Sequence, residues 1–133
     1  MNKLMIIVVD DNLVSRLLPS FILRPFGMYV QVLECDCGVD AMRLLEIHQV
    51  THVLLDISMP KMDGVNVAKK IREISKNTNV RLIAYTADAM ASDVTYLKSV
   101  GFDDVLIKPL KSEALLHVLD IQHNSLIKSQ DYM

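Results

Sequence analysis

Short apolar runs alternate with amphipathic stretches five times along this chain. The runs 4–9 (Leu4–Val9), 29–34 (Tyr29–Glu34), 51–56 (Thr51–Asp56), 81–85 (Arg81–Tyr85) and 104–107 (Asp104–Ile107) are rich in Val, Ile and Leu. Apolar runs of that length, bounded by turn formers, predict strands buried on both faces. Between them apolar positions recur at helical spacing: Val14/Leu17/Leu18/Phe21, Ala41/Leu44/Leu45/His48, Val67/Ile71/Ile74, Met90/Val94/Leu97 and Leu115/Leu116/Leu119. Strands and helices in alternation predict βαβ units, hence an α/β fold with a parallel sheet covered by helices on both faces. Residues 1–123 read as one domain, and the polar stretch 124–133 as a tail that frays.

The first helix breaks the pattern, with Pro19 inside it and Pro25 near its end. An interior proline removes one backbone hydrogen bond and crowds the preceding turn, costing about 3 kcal/mol in a straight helix. The expectation is a kink near Ser15–Pro19, an end close to Arg24, and a change of direction at Gly27.

Composition narrows the class. The 133 residues suffice for one hydrophobic core and are too few for two comfortable domains. A net charge of −2 offers no basic footprint for nucleic acid. The opening apolar run is cut off by Asp10-Asp11, too soon to span a bilayer, and no small-residue cleavage site follows, so no membrane span and a cytoplasmic location are expected. Cys35 and Cys37 are read as reduced thiols on one face of an extended segment, without nearby histidine to complete a zinc site. His48, His52, His117 and His123 show no metal-ligand spacing. Lys69, Arg72 and Lys76 form a stripe read as a solvated helix face.

The chemistry lies at the strand ends. The first strand delivers Asp10 and Asp11, the third Asp56, the fourth Thr86-Ala87, and the fifth Lys108-Pro109. In a doubly wound five-stranded sheet of order 2-1-3-4-5, strands one and three meet at the topological switch point, so three carboxylates share one crevice. Like charges at close range raise each other's pKa, so such a cluster needs a positive partner. Mg²⁺ suits a site of few carboxylates plus waters, Lys108 supplies a fixed charge and Thr86 a hydroxyl. That set fits phosphoryl transfer, where catalysis is mainly positioning and charge neutralisation.

The ordered set Asp10-Asp11, Asp56 with Met59-Pro60-Lys61-Met62-Asp63-Gly64, Thr86-Ala87 and Lys108-Pro109 resembles the receiver domains of two-component response regulators over about residues 3–123. The wording Leu82-Ile83-Ala84-Tyr85-Thr86-Ala87-Asp88-Ala89-Met90 is similar to receivers of hybrid histidine kinases. The resemblance implies a flavodoxin-like (βα)5 fold with Asp56 as phosphoacceptor, taking its phosphoryl group from a phosphohistidine on a histidine kinase or histidine phosphotransfer protein. It further implies Mg²⁺ held by Asp11, Asp56 and the Ser58 carbonyl, with Asp10 acting through water. Thr86 and the Ala87 amide would hold phosphoryl oxygens, Lys108 would pair with Asp56 and then with the phosphate, and the Lys108–Pro109 bond would be cis. One position departs: receivers usually carry Tyr or Phe three residues before the lysine, and here that place is Val105.

Two other classes compete with a switch that modifies itself but turns over no metabolite. Phosphatases that form an aspartyl phosphate resemble an Asp-x-Asp pattern, and position 58 is serine here. An unphosphorylated interaction module would leave the carboxylate cluster idle, a pure electrostatic burden. Output is expected to pass to an unidentified downstream protein or along a phosphate relay.

Overall fold

The computed structural model describes residues 3–58, 64–74, 79–88 and 94–121. Its elements are β1 (Leu4–Val9), α1 (Leu13–Leu23), a 3-10 segment (Arg24–Tyr29), β2 (Val30–Cys35), α2 (Gly38–Ile47), β3 (His52–Asp56), α3 (Gly64–Ile74), β4 (Arg81–Thr86), α4 (Val94–Ser99), β5 (Asp104–Ile107) and α5 (Ser112–Val118). All four strand pairings are parallel, and the sheet order is β2-β1-β3-β4-β5. The fold is therefore the doubly wound α/β architecture read from the strand–helix alternation.

Alternate residues of each strand face opposite sides of a sheet, and both sides here are apolar. Ile7, Val9, Val53, Leu55, Leu82 and Ala84 pack with Ala41, Val67, Ala68, Ile71 and Leu97 of α2, α3 and α4. Ile6, Val8, Leu54, Ile83, Tyr85 and Leu106 pack with Leu23 of α1, Phe26 of the 3-10 segment, and Leu115 and Leu116 of α5. This double burial is why the central strands read as continuous apolar runs rather than alternating ones.

The register decides what meets at the carboxyl edge. Val9 pairs with Leu55, so Asp10 follows beside Asp56. Asp56 pairs with Tyr85, and Thr86 with Ile107, so Lys108 emerges next to the end of β4.

Several expectations shift. β2 begins at Val30, because Tyr29 closes the 3-10 segment in which Gly27 adopts φ 56°. Gly27 does turn the chain as expected, a conformation that glycine takes without the Cβ penalty. α1 runs as one helix through Pro19 and is capped at Asn12, whose side chain accepts a hydrogen bond from the Ser15 amide. Cys37 lies beyond the strand as the residue preceding α2, while Cys35 is buried at the end of β2; both thiols are free. Burial pushes the Cys35 thiol up to about 12, with Cys37, Asp40 and Asp36 adding to the effect.

Arg72 is not part of a solvated stripe. Its guanidinium donates to the Gly101 carbonyl from Nε (3.1 Å) and Nη2 (2.9 Å), to the Val80 carbonyl (2.6 Å), and to Asp103 Oδ2 (2.7 Å). It ties α3 to the entries of β4 and β5. The Met59–Asp63 segment, the Ile74 side chain, Lys76, Ala89–Met90 and the tail 124–133 lie outside the described residues.

Gly64, the first residue of α3, stands against the back of the Asp56 strand end. A Cβ there would lie 2.7 Å from Ile57 Cα and 3.1 Å from the Asp56 carbonyl oxygen, both backbone atoms that cannot rotate away. Gly64→Ala is therefore expected to lower unfolding free energy by about 1–3 kcal/mol, read as a reduced urea midpoint. An unchanged midpoint would mean that α3 can withdraw from β3 without loss.

Candidate functional site

Asp10 and Asp56 are buried carboxylates that share one lysine. Lys108 Nζ lies 2.8 Å from Asp10 Oδ2 and 3.4 Å from Asp56 Oδ2, with only 14% of the lysine side chain exposed. Each acid has a second, local support. Asp10 Oδ1 accepts from the Asn12 amide at 2.9 Å, a turn that also starts α1. Asp56 Oδ1 accepts from the Ser58 amide at 2.9 Å and the Ser58 hydroxyl at 2.7 Å. Arg16 of α1 donates to the Asp10 carbonyl at 2.9 Å, which fixes the backbone behind the acid.

The two acids differ in ionisation. Burial alone would raise Asp56, but the amide and hydroxyl of Ser58, followed by Lys108, outweigh it and hold the group below its ordinary 3.8. For Asp10 burial wins, with Asp56 adding repulsion, and the Lys108 ion pair and the Asn12 amide only partly offset it, so its pKa is raised. Asp56 thus stays an anion at neutral pH.

The remaining predicted residues surround this pair. Asp11 is exposed at the rim, and ligand oxygens of Asp10, Asp11 and Asp56 lie within 4.8 Å of one another. Thr86 is fully buried, with its hydroxyl oxygen accepting from the Asp88 amide at 3.0 Å. Ala87 and Ser58 are exposed. The Lys108 amide donates to the Thr86 carbonyl at 2.7 Å, which locks the ends of β4 and β5 together, and the Lys108–Pro109 bond is cis. Val105 packs, partly buried, against the core on the α3 and α4 side.

An oxygen-only donor set of three carboxylates fits a small hard cation. One further observation favours it. The buried Oδ2 of Asp10 accepts no hydrogen bond of good geometry, so its ion pair with Lys108 is its compensation among the described residues. A divalent ion there would be held by Asp10, Asp11 and Asp56.

Besides Asn12 and Arg16, which support Asp10, the sequence pattern left one aromatic side chain of the site unmarked. Tyr85 is buried on the α1 and α5 side, with Lys108 Nζ 4.8 Å from its ring centroid. Burial and the nearby Asp10 push its phenol up to about 12, so it remains a hydrogen-bond donor at neutral pH. Strand periodicity registers Tyr85 only as a core position.

Comparison with known proteins bears on what such a site is for. Residues 6–120 match the family model described as response regulator receiver domain. The chain is 32% identical over 130 residues to the sensor histidine kinase RcsC of Escherichia coli (strain K12), covering 98% of this chain and 13% of that protein. It is 36% identical over 115 residues to the transcription factor SKN7 of Saccharomyces cerevisiae, covering 86% of this chain and 18% of that protein. The chain thus spans only a small part of the curated relatives it matches. Among solved structures it resembles the receiver domain of sensor histidine kinase PA1611 from Pseudomonas aeruginosa PAO1, which holds a magnesium ion in its active site cleft. That likeness has a TM-score of 0.76 and 30% identity, and covers 89% of this chain and 95% of the other.

Asp10 and Asp56 make stability depend on pH in opposite directions. A raised folded pKa means that ionised Asp10 costs stability above 3.8, and that cost disappears as pH falls through the raised value. Asp56 works the other way: it contributes stability above 3.8 that is lost as pH falls through its depressed value. Asp10→Asn is therefore expected to resist urea better than wild type at pH 7 without divalent cation. The gap should narrow on acidification toward pH 4 or on adding Mg²⁺. A less stable variant at pH 7 would show that the Lys108 ion pair outweighs burial.

Proposed function

The chain belongs to the response regulator receiver domains of two-component signalling, and on that premise we propose that it is a Mg²⁺-dependent phosphorylation switch with Asp56 as acceptor. Receiver domains are signalling switches rather than metabolic enzymes. The observation that carries the reading is the Asp56 carboxylate at the carboxyl end of β3, buried yet within 3.4 Å of the Lys108 ammonium group.

In this reading a phosphohistidine on a histidine kinase or phosphotransfer protein approaches the cleft. An oxygen of Asp56 attacks phosphorus, the P–N bond breaks, and its electron pair leaves with the imidazole nitrogen. Lys108, already between Asp10 and Asp56, meets the charge of the new phosphoryl oxygens. Thr86, whose hydroxyl oxygen now accepts from Asp88, can donate its proton to one of them, and the Ala87 amide to another. Mg²⁺ held by Asp10, Asp11 and Asp56, with the Ser58 carbonyl, would neutralise the same charge when bound. Burial of Asp10, Asp56, Thr86 and most of Lys108 strengthens their electrostatic contacts relative to water.

The helix that follows the acid pair supports a protein donor. Leu13, Val14, Leu17 and Phe21 of α1 are large apolar side chains left exposed at successive turns, and α1 starts three residues after Asp10. A donor histidine brought to Asp56 would carry its own surface against that face. No helix among the described residues is long and apolar enough to cross a membrane, and a cytoplasmic location fits a kinase donor. We take residues 1–123 as the receiver and 124–133 as its tail. The downstream protein is one that reads the phosphorylated form, with no role for nucleic acid.

The test is intact mass after incubation with acetyl phosphate. Wild type should gain one phosphoryl group with Mg²⁺ and none in the presence of a chelator, and Asp56→Asn should gain none. A gain that persists in Asp56→Asn would place the phosphate elsewhere and overturn the assignment.

A further inference from the structure

Pro19 and Tyr85 lie far apart in sequence, yet one carbonyl connects them. In an α-helix the amide of residue 19 would donate to the carbonyl of residue 15, but proline has no N–H to give. The Ser15 carbonyl instead accepts a hydrogen bond from the Tyr85 hydroxyl, at 3.3 Å. A carbonyl at the helix–sheet boundary needs some donor, and β4 supplies it from the neighbouring layer.

The face of the same ring meets the lysine of the site. Lys108 Nζ sits 4.8 Å from the Tyr85 centroid, within the range in which a ring face attracts an ammonium group. Lysine has four rotatable side-chain bonds and loses much rotamer freedom when confined. The two carboxylates attract the ammonium group but leave it free to slide between them. The ring supplies a wall beneath it, and the phenol's bond to Ser15 keeps that wall from tilting.

We infer that Tyr85 is a positioning residue for Lys108, anchored to α1 through the Ser15 carbonyl that Pro19 leaves available. It acts on the lysine and not on the metal ligands or the phosphoryl group itself. The inference rests on the proposed phosphoryl-acceptor role of the site, but the placement of the lysine can be measured without it. The prolyl residue that interrupts the pattern of α1 is thereby accounted for as part of the site's support.

Two readouts on the same variants decide the matter. In unphosphorylated protein labelled with carbon-13 lysine, the Lys108 methylene signals next to Nζ should be shifted by the aromatic ring. Tyr85→Leu should return them toward ordinary lysine positions. Tyr85→Phe, which keeps the ring and loses the anchor, should displace them in part. With acetyl phosphate and Mg²⁺, phosphorylation should slow by roughly 2- to 30-fold in Tyr85→Leu, the span set by the strength of a cation–ring contact. Tyr85→Phe should slow it less, and Mg²⁺ affinity should stay within about twofold in both because the carboxylate ligands are untouched. Pro19→Ala, which gives Ser15 a competing donor, should shift the lysine signals in the Tyr85→Phe direction.

Lys108 signals identical to wild type in Tyr85→Phe and Pro19→Ala would overturn the inference, even if Tyr85→Leu fails to fold. So would displaced signals with an unchanged phosphorylation rate. Absence of phosphorylation in wild type would count against the proposed function alone, since the lysine signals still report whether the ring holds it.

Discussion

One ammonium group shared by two buried carboxylates is the constraint on which the site depends. Lys108 reaches Asp10 at 2.8 Å and Asp56 at 3.4 Å. Without it, neighbouring strands would deliver two anions into the same low-dielectric crevice. The sheet order makes the encounter unavoidable, because β1 and β3 are adjacent and in a register that sets Asp10 beside Asp56. The rest of the surroundings keeps that arrangement asymmetric. Ser58 donates twice to Asp56, while Asp10 has one local donor and a deeper position, so one acid is held ionised and the other is strained toward its neutral form.

This asymmetry gives the two carboxylates different parts to play. An acid held as an anion by its own loop is suited to form a bond. An acid whose charge is poorly compensated is suited to bind a cation, because the cation relieves a cost the fold already carries. Under the proposed function Lys108 would serve both states, pairing with carboxylates before phosphoryl transfer and with phosphoryl oxygens after it. The lysine therefore has to be confined without being immobilised, which a ring face does better than a third carboxylate would.

Much of this was legible in the residues, for reasons that can be named. The strands buried on both faces announced themselves because no polar residue interrupts Ile6–Val9 or Val53–Leu55. Asp10, Asp56, Thr86 and Lys108 were legible as strand-end residues, since a parallel sheet brings all such ends to one edge. What escaped were contacts between layers. Arg72 has the spacing of a solvated stripe on α3, and only the packing of α3 over the β4 and β5 entries turns it into a clamp. Pro19 signalled a lost helix bond but not its replacement, because the donor is 70 residues away. Tyr85 looked like core because it is core, and its ring merely has the lysine for one neighbour. The aromatic residue absent at Val105 drew attention to β5, whereas the ring that touches the site stands on β4.

The central claim, that the lysine between the two acids marks a phosphoryl site, is tested most directly with beryllofluoride, which mimics an aspartyl phosphate without turnover. Fluorine-19 NMR should be recorded with Mg²⁺ on wild type, Asp56→Asn and Lys108→Gln. Wild type should show protein-bound fluorine signals, Asp56→Asn none, and Lys108→Gln markedly weaker ones at the same concentrations. Bound signals of equal strength in Lys108→Gln, or their absence from wild type, would contradict the claim.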